Sequence, residues 1–162
     1  MIIRRFENTD AVEVSALIVT TLRTTNIKDY SQGYIENEVL QLQPEHILQR
    51  AGWMHLYVVC EEKKIIGCGG IGPFWGKTDE SGLFNIFVHP AHQRQGVGRA
   101  IIETLEKDDY FTRARRVEIP ASITGAPFYL KMGYSYKNGV TGPDEEGLIR
   151  LEKYKDEAGM KK

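Results

Sequence analysis

The segment Val88-His-Pro-Ala-His-Gln-Arg-Gln-Gly-Val-Gly-Arg-Ala100 constrains the fold more than any other stretch of the chain. It separates a nearly continuous apolar run, Leu83-Phe-Asn-Ile-Phe-Val88, from a helix that buries Val97, Ile101 and Leu105 at i+4 spacing. An apolar run of that kind reads as a central strand covered on both faces. Gly96 and Gly98 strip side chains from the start of the helix, so an anion can reach the backbone N–H groups there. The helix dipole favours a phosphate or pyrophosphate, and Arg94 and Arg99 add positive charge beside it. Two common phosphate loops fail on this stretch. A dinucleotide fingerprint needs a third glycine where Ile101 stands, and a P-loop needs Gly-Lys-Ser/Thr where Gly98-Arg99-Ala100 stands.

The rest of the chain supports a single mixed α/β (α+β) domain. A strand is expected at Ile2 to Phe6, then a helix capped by Asp10 with Glu13 three residues on, burying Val14, Leu17, Ile18, Thr21 and Leu22. Residues 26–52 form a polar connection with one or two helical segments, one of them starting near Pro44. Leu56 to Cys60 and Ile65 to Cys68 are apolar runs joined by Glu61-Glu-Lys-Lys64, which reads as a hairpin. After the glycine-loop helix come a strand at Arg116 to Ala121, a short helix at Ala126 to Met132 and two strands within Tyr134 to Tyr154. Residues 1–155 are taken as the domain and 156–162 as a polar tail.

Charge narrows the ligand. With 21 Lys+Arg against 22 Asp+Glu in 162 residues the net charge is −1, which argues against nucleic acid and an anionic membrane surface as partners. Met1 to Phe6 lack the apolar core of a signal peptide and no apolar run reaches membrane-spanning length, so a cytoplasmic location is expected. Cys60 and Cys68 both sit in apolar stretches and read as small hydrophobes. His89 and His92 lack a third ligand at metal-site spacing, so no metal is expected.

The order Gln93-x-x-Gly96-x-Gly98 at a strand-to-helix junction resembles the signature of the GNAT superfamily of acyl-CoA-dependent N-acetyltransferases. Ala126-Pro-Phe-Tyr-Leu-Lys-Met-Gly-Tyr134 is similar to that family's Phe-Tyr-x-x-x-Gly-Phe/Tyr helix ending, and Ile149-Arg-Leu-Glu-Lys153 to its closing strand. The resemblance covers nearly the whole chain, from Ile2 to Tyr154. It implies a mixed central sheet of six to seven strands flanked by helices and splayed between strands four and five. Pro120 fits that splay, because a proline cannot donate to a ladder; the alternative is that the strand simply ends there.

The resemblance also implies site residues. Acetyl-CoA would be the co-substrate, its pantetheine arm bonded to the backbone of Phe87 and Val88 and its pyrophosphate lying on Gln93, Arg94, Gln95, Gly96, Val97, Gly98 and Arg99. Ser122 and Tyr129 would complete that site, with an N–H of Phe87 or Val88 polarising the thioester carbonyl. Tyr129 would be the general acid for the leaving thiolate. The base is open. Counting back from Val88 by twos gives Ile86, Phe84 and Gly82, then Glu80 as the first ionisable candidate. The alternatives to a protein base are that the amine loses its proton to a water chain or arrives already neutral. Asp29 and Tyr30, with Phe74 and Trp75 and also Trp53, are candidates for the acceptor pocket. The acceptor would be a small-molecule amine or a peptide amine, taken in a ternary complex. A non-catalytic acyl-CoA-binding or sensing module is the alternative. The resemblance also implies a homodimer, for which the residues themselves offer no interface.

Overall fold

A computed structural model describes residues 1–156 and 159–160. Four strands open the sheet: β1 (Ile2–Arg5), β2 (His55–Glu61), β3 (Lys64–Pro73) and β4 (Glu80–Val88). Three follow: β5 (Arg116–Ser122), β6 (Ser135–Tyr136) and β7 (Leu148–Asp156). They lie in the order β1-β2-β3-β4-β5-β7-β6, antiparallel except for the parallel pair β4-β5. A two-residue strand, β8 (Gly159–Met160), pairs back onto the end of β7. Those pairings involve the first part of the expected tail; its residues 157–158 and 161–162 lie outside the described residues.

Helices cover both faces. One core layer packs α1 (Ala11–Thr24), α2 (Gln32–Leu40) and α3 (Pro44–Ala51) against Leu56, Val58, Ile65 and Cys68. The other packs α4 (Val97–Leu105), α5 (Asp109–Thr112) and α6 (Ala126–Lys131) against Val59, Ile66, Leu83, Val117 and Leu151. This is an α/β/α sandwich whose two buried layers are separated by the sheet. The glycine-rich β3 lets both layers come close: a Cβ at Gly69 would stand 2.6 Å from Ile101 on one face, and one at Gly70 would stand 2.4 Å from Met54.

Local chemistry explains the turns and caps, with one correction. Glu62 and Lys63 both take positive φ (52° and 70°), the two-residue turn that matches strand twist. Asp10 precedes α1 as expected, but its carboxylate accepts from the Glu7 amide at 2.8 Å and pairs with Arg4. Glu13 does not close a capping box; it accepts the Ile65 amide at 2.7 Å and ties α1 to the β2–β3 hairpin.

The parallel pair β4-β5 holds for only three residues, Glu80↔Arg116, Ser81↔Val117 and Gly82↔Glu118. Beyond Gly82 the strands part. β5 nevertheless runs on to Ser122, paired to β7 on its other side, with Pro120 opposite Arg150. Pro120 therefore sits in the splay, and the simpler idea that the strand ends there is set aside. For the same reason β4 is not covered along its full length: Glu80 to Leu83 are buried, whereas Phe84 to Val88 are only half-buried beside the opening.

Candidate active site

A cleft of about 900 Å³ fills the splay. Its walls are the open edges of β4 and β5, the start of α4, α6, and the α1–α3 layer. Two faces of β4 show how the cleft edge is shaped. Phe84 and Phe87 pack with the α1–α3 layer, while Leu83, Ile86 and Val88 pack with the α4–α6 layer. Residues three apart share a face only if one extra residue is inserted, and the register shifts between Gly70↔Phe84 and Cys68↔Phe87. The inserted residue is Asn85, with φ 56°. Asparagine tolerates that left-handed conformation better than its apolar neighbours. The bulge is pinned on both sides: Cys68 Sγ donates to the Asn85 carbonyl at 3.2 Å, and Arg50 Nη1 donates to Asn85 Oδ1 at 3.1 Å.

Past the bulge, the orientation of amides is fixed by pairing. The His89 N–H donates to Ile66 on β3, so the Phe87 peptide also faces β3 and Val88 faces the open edge. The Val88 carbonyl agrees, accepting from Gln93 Nε2 at 3.2 Å rather than from β3. Of the two amides named from sequence, Val88 is the one turned towards the cleft.

The anion end lies where β4 feeds α4. Arg94 and Gly96 both have positive φ (64° and 84°), which turns successive N–H groups into a concave nest. No side chain caps α4, and a Cβ at Gly96 would meet nothing within 4 Å, so the first amides of the helix are open. Arg94, Gly96, Gly98 and Arg99 line the cleft. The residues fit a pyrophosphate. Gln93 braces the loop, also donating to Thr25, just past the end of α1, at 3.3 Å. Val97 is buried in the core and offers only its amide, and the Gln95 side chain turns aside to His92 at 3.3 Å.

On the opposite wall, Ser122 Oγ accepts the Gly125 amide at 2.9 Å and so shapes the start of α6. Thr124, which the sequence does not single out, lines the cleft, and its Oγ1 is buried with no partner among the described residues. Tyr129, a residue 7% exposed, lines the cleft from α6, and its hydroxyl has no hydrogen-bond partner among the described residues. Burial pushes its pKa well above the ordinary phenol value, so it stays protonated. Burial likewise raises the nearby Cys68 thiol to about 12.

Several acceptor-side candidates are corrected by position. Glu80 does not reach the cleft: it sits at the start of β4, where the sheet is still closed, bound to Arg115 at 2.8 Å and Arg116 at 3.3 Å. Period-two counting selects a face but says nothing of where along a strand the sheet opens. Phe74 and Trp75 lie at that same closed end, Phe74 against Gly82 and Arg116, and Trp75 85% exposed. Trp53 packs edge-on to Phe84 outside the cleft. Asp29 is exposed and does not line the cleft. Tyr30 does, but its hydroxyl is committed, donating to Gly147 at 2.6 Å and accepting the Ile123 amide at 2.8 Å. It stacks on Tyr34, whose hydroxyl donates to Glu146 at 3.0 Å. The two tyrosines strap the α1–α2 segment to the loops flanking β5 and β7.

Two acidic residues line this end of the cleft: Glu146, which pairs with Arg150 at 3.0 Å, and Glu38 on α2, which the sequence pattern did not single out. Glu38 is half-buried and has no ion pair or side-chain hydrogen bond among the described residues. Burial raises its pKa, with Arg50 opposing and Glu146 reinforcing the shift. Among the described residues there is no cluster of three metal-ligating side chains, and no helix is long and apolar enough to cross a membrane.

A family model for the acetyltransferase (GNAT) domain matches residues 52–136, more than half of the 162-residue chain. No curated protein matches. Among solved structures, the PaiA N-acetyltransferase from Thermoplasma acidophilum, in complex with coenzyme A, superposes with a TM-score of 0.80 at 16% identity, covering 94% of this chain and 98% of that one. A ribosomal-protein-alanine N-acetyltransferase from Brucella melitensis gives 0.66 at 18% identity, covering 95% and 99%. A GNAT family acetyltransferase from the same organism, in complex with acetyl-CoA, gives 0.62 at 20% identity, covering 83% and 82%. At these identities the likeness to solved structures is one of fold.

Proposed function

The chain belongs to the GNAT acetyltransferase family, and from that membership we propose that it carries an acetyl group from acetyl-CoA directly to a small primary amine held in the same cleft. The observation that carries this is the continuity of the cleft. An anion nest at α4, an outward amide on Val88, a buried phenol on Tyr129 and a free carboxylate on Glu38 all line one opening between β4 and β5.

The roles follow from what each group can do. The first amides of α4, with Arg94 and Arg99, hold the pyrophosphate of the co-substrate. The Val88 amide, oriented before any ligand arrives, donates to the thioester oxygen as charge develops on it. Glu38 takes a proton from the acceptor ammonium, and the neutral amine attacks the acetyl carbon. The N–C bond forms, the C–S bond breaks, and the sulfur leaves with the electron pair. Tyr129 gives its proton to that sulfur and recovers one from the amine by way of solvent, so the products are an N-acetylated amine and the free thiol.

A direct assay tests this. Thiol release from acetyl-CoA is followed across a panel of polyamines, amino acids, aminoglycosides and peptide N-termini. Acceptor-dependent release is expected; tight acetyl-CoA binding with no release for any amine would instead make the protein an acyl-CoA sensor.

A further inference from the structure

Two charges of opposite sign stand in the acceptor end of the cleft, and neither is neutralised. Glu38, on α2, has no side-chain partner among the described residues. Arg50, at the end of α3, also lines the cleft and is half-buried, yet it forms no ion pair among the described residues. Its one side-chain hydrogen bond goes to the neutral amide of Asn85. A guanidinium carries five N–H donors in a planar fork suited to a carboxylate, so most of that capacity is unused.

The two groups feel each other without touching. Burial raises the Glu38 carboxyl and lowers the Arg50 guanidinium, and the charge of each partly offsets the shift of the other. They are nevertheless not within the 4.0 Å of a salt bridge, whereas Arg23 and Glu36 on the neighbouring surface close to 2.8 Å. Half-buried charges without partners are costly. A ligand that brings the opposite pair of charges removes that cost on both sides at once. The other ionisable groups facing Glu38 do not compete for this role. Tyr30 and Tyr34 are neutral, with burial holding Tyr34 at about 12, and Glu146 is engaged with Arg150 at 3.0 Å. Ile35, Leu42 and Phe84 add apolar wall to the same cleft.

Resting on acetyl transfer at this cleft, we propose that the acceptor is an amino acid or a similarly short amino carboxylate, its amine held by Glu38 and its carboxylate gripped by Arg50. Arg50 is then a specificity-determining residue. Its bond to Asn85 also fixes the carboxylate's position relative to the bulge beside which the thioester is attacked. The product is the N-acetylamino acid. It keeps the carboxylate that Arg50 grips but loses the positive charge that Glu38 holds, which favours release.

Matched pairs test the charge requirement. Binding of L-leucine, L-phenylalanine and L-serine, each against its own amide, is measured by calorimetry on the protein saturated with coenzyme A. Turnover of the same pairs is measured with acetyl-CoA. The amide keeps the shape and loses the carboxylate charge; its amine is also less basic, so a preference for the acid runs against intrinsic reactivity. We expect at least one acid to bind and react about tenfold or more better than its amide. Arg50→Gln should bring that ratio towards one, and Arg50→Lys should restore part of it. Glu38→Gln should weaken acid and amide together. Far-UV circular dichroism and melting establish that each variant folds. Amides equal to or better than every acid, or a ratio unchanged in Arg50→Gln, would overturn the proposal and leave acetyl transfer standing. Charge-dependent binding of an acid without turnover of any amine would uphold the ligand assignment and reject acetyl transfer.

Discussion

At Tyr129 two consequences of burial pull in opposite directions. Desolvation holds the phenol protonated, as a general acid must be, but also makes it a poorer proton donor. The leaving thiolate is subject to the same dry surroundings. Cys68, close enough to influence Tyr129, shows the size of the effect on a thiol, raised to about 12. Donor and acceptor are thus shifted in the same direction, and the proton remains transferable. Tyr129→Phe should lower kcat on the order of a hundredfold or more, with the acetyl-CoA dissociation constant changed by less than about twofold, since the hydroxyl is not part of the anion nest. Stopped-time assays and calorimetry on one preparation check both numbers. In the proposed mechanism Glu38 sets the opposite limb. A base works only when ionised, and burial raises this carboxyl, so kcat/KM should fall on acidification at a pH above the ordinary glutamate value. A pH profile of Glu38→Gln should show a lower rate without that limb.

The splay between β4 and β5 is an element-scale device, and its closed end is locked by charge. Arg116 is buried beside Glu80, Glu118 and Glu152, and Glu118, fully buried, also takes Lys137 at 3.0 Å and Arg150 at 3.4 Å. Glu118 belongs to the last ladder pair before the strands part. Removing one member leaves buried charge unmatched, which costs several times more than the intact network contributes. Glu118→Ala should therefore destabilise the fold by about 3–5 kcal/mol, read from urea midpoints, whereas Arg23→Ala at the exposed Arg23–Glu36 pair should leave the midpoint nearly unchanged. This lock also explains which parts of the site were legible in the sequence. Strand and helix order, the glycine loop and the Pro120 splay are written locally, in periodicity and in residues with restricted backbone, and they could be read. Asn85 carried a signal as the one polar residue in the run Leu83 to Val88, but period-two counting passed over it, and the bulge shifts every later side chain. Glu80 was misplaced because its partners, Arg115 and Arg116, are far away in sequence. Glu38 and Arg50, the proposed acceptor contacts, were not read from the sequence for a related reason. They lie on two separate helices with ordinary amphipathic patterns, and only tertiary packing turns both towards β4.

For the whole molecule, the cleft divides what the sheet joins. On one side stand β1 to β4 with α1 to α4, on the other β5 to β7 with α6; three ladder pairs, the charge lock, the Tyr30–Tyr34 strap, the core layer shared by α4 and α6, and the contacts of Glu106 with Tyr134 and Lys153 connect them. Acid should loosen this assembly. Hydrogen bonding to Arg4 holds Asp10 below its ordinary 3.8, and at Asp108 burial is outweighed by bonds from Tyr57, the Tyr110 amide and His55. A carboxyl with a depressed folded pKa contributes its full stability above the unfolded value and loses it as pH falls through the folded one. Tm should thus hold near neutrality and drop below about pH 3.8, with a shallower drop in Asp10→Asn. Co-substrate should act in the opposite sense. Acetyl-CoA would lie along β4, on the α4 amides and against α6, and so bridge both sides of the cleft. A ligand that binds only the folded state adds about 2.7 kcal/mol at a hundred times its dissociation constant, which for a domain of this size is a Tm rise of about 5–10 °C. ATP and NAD carry the pyrophosphate but no arm to enter the splay, so they should contact the α4 nest alone and raise Tm by far less. Thermal melts with all three at matched concentration decide the point. Equal shifts would mean that the nest, and not the opening between β4 and β5, is where binding energy resides.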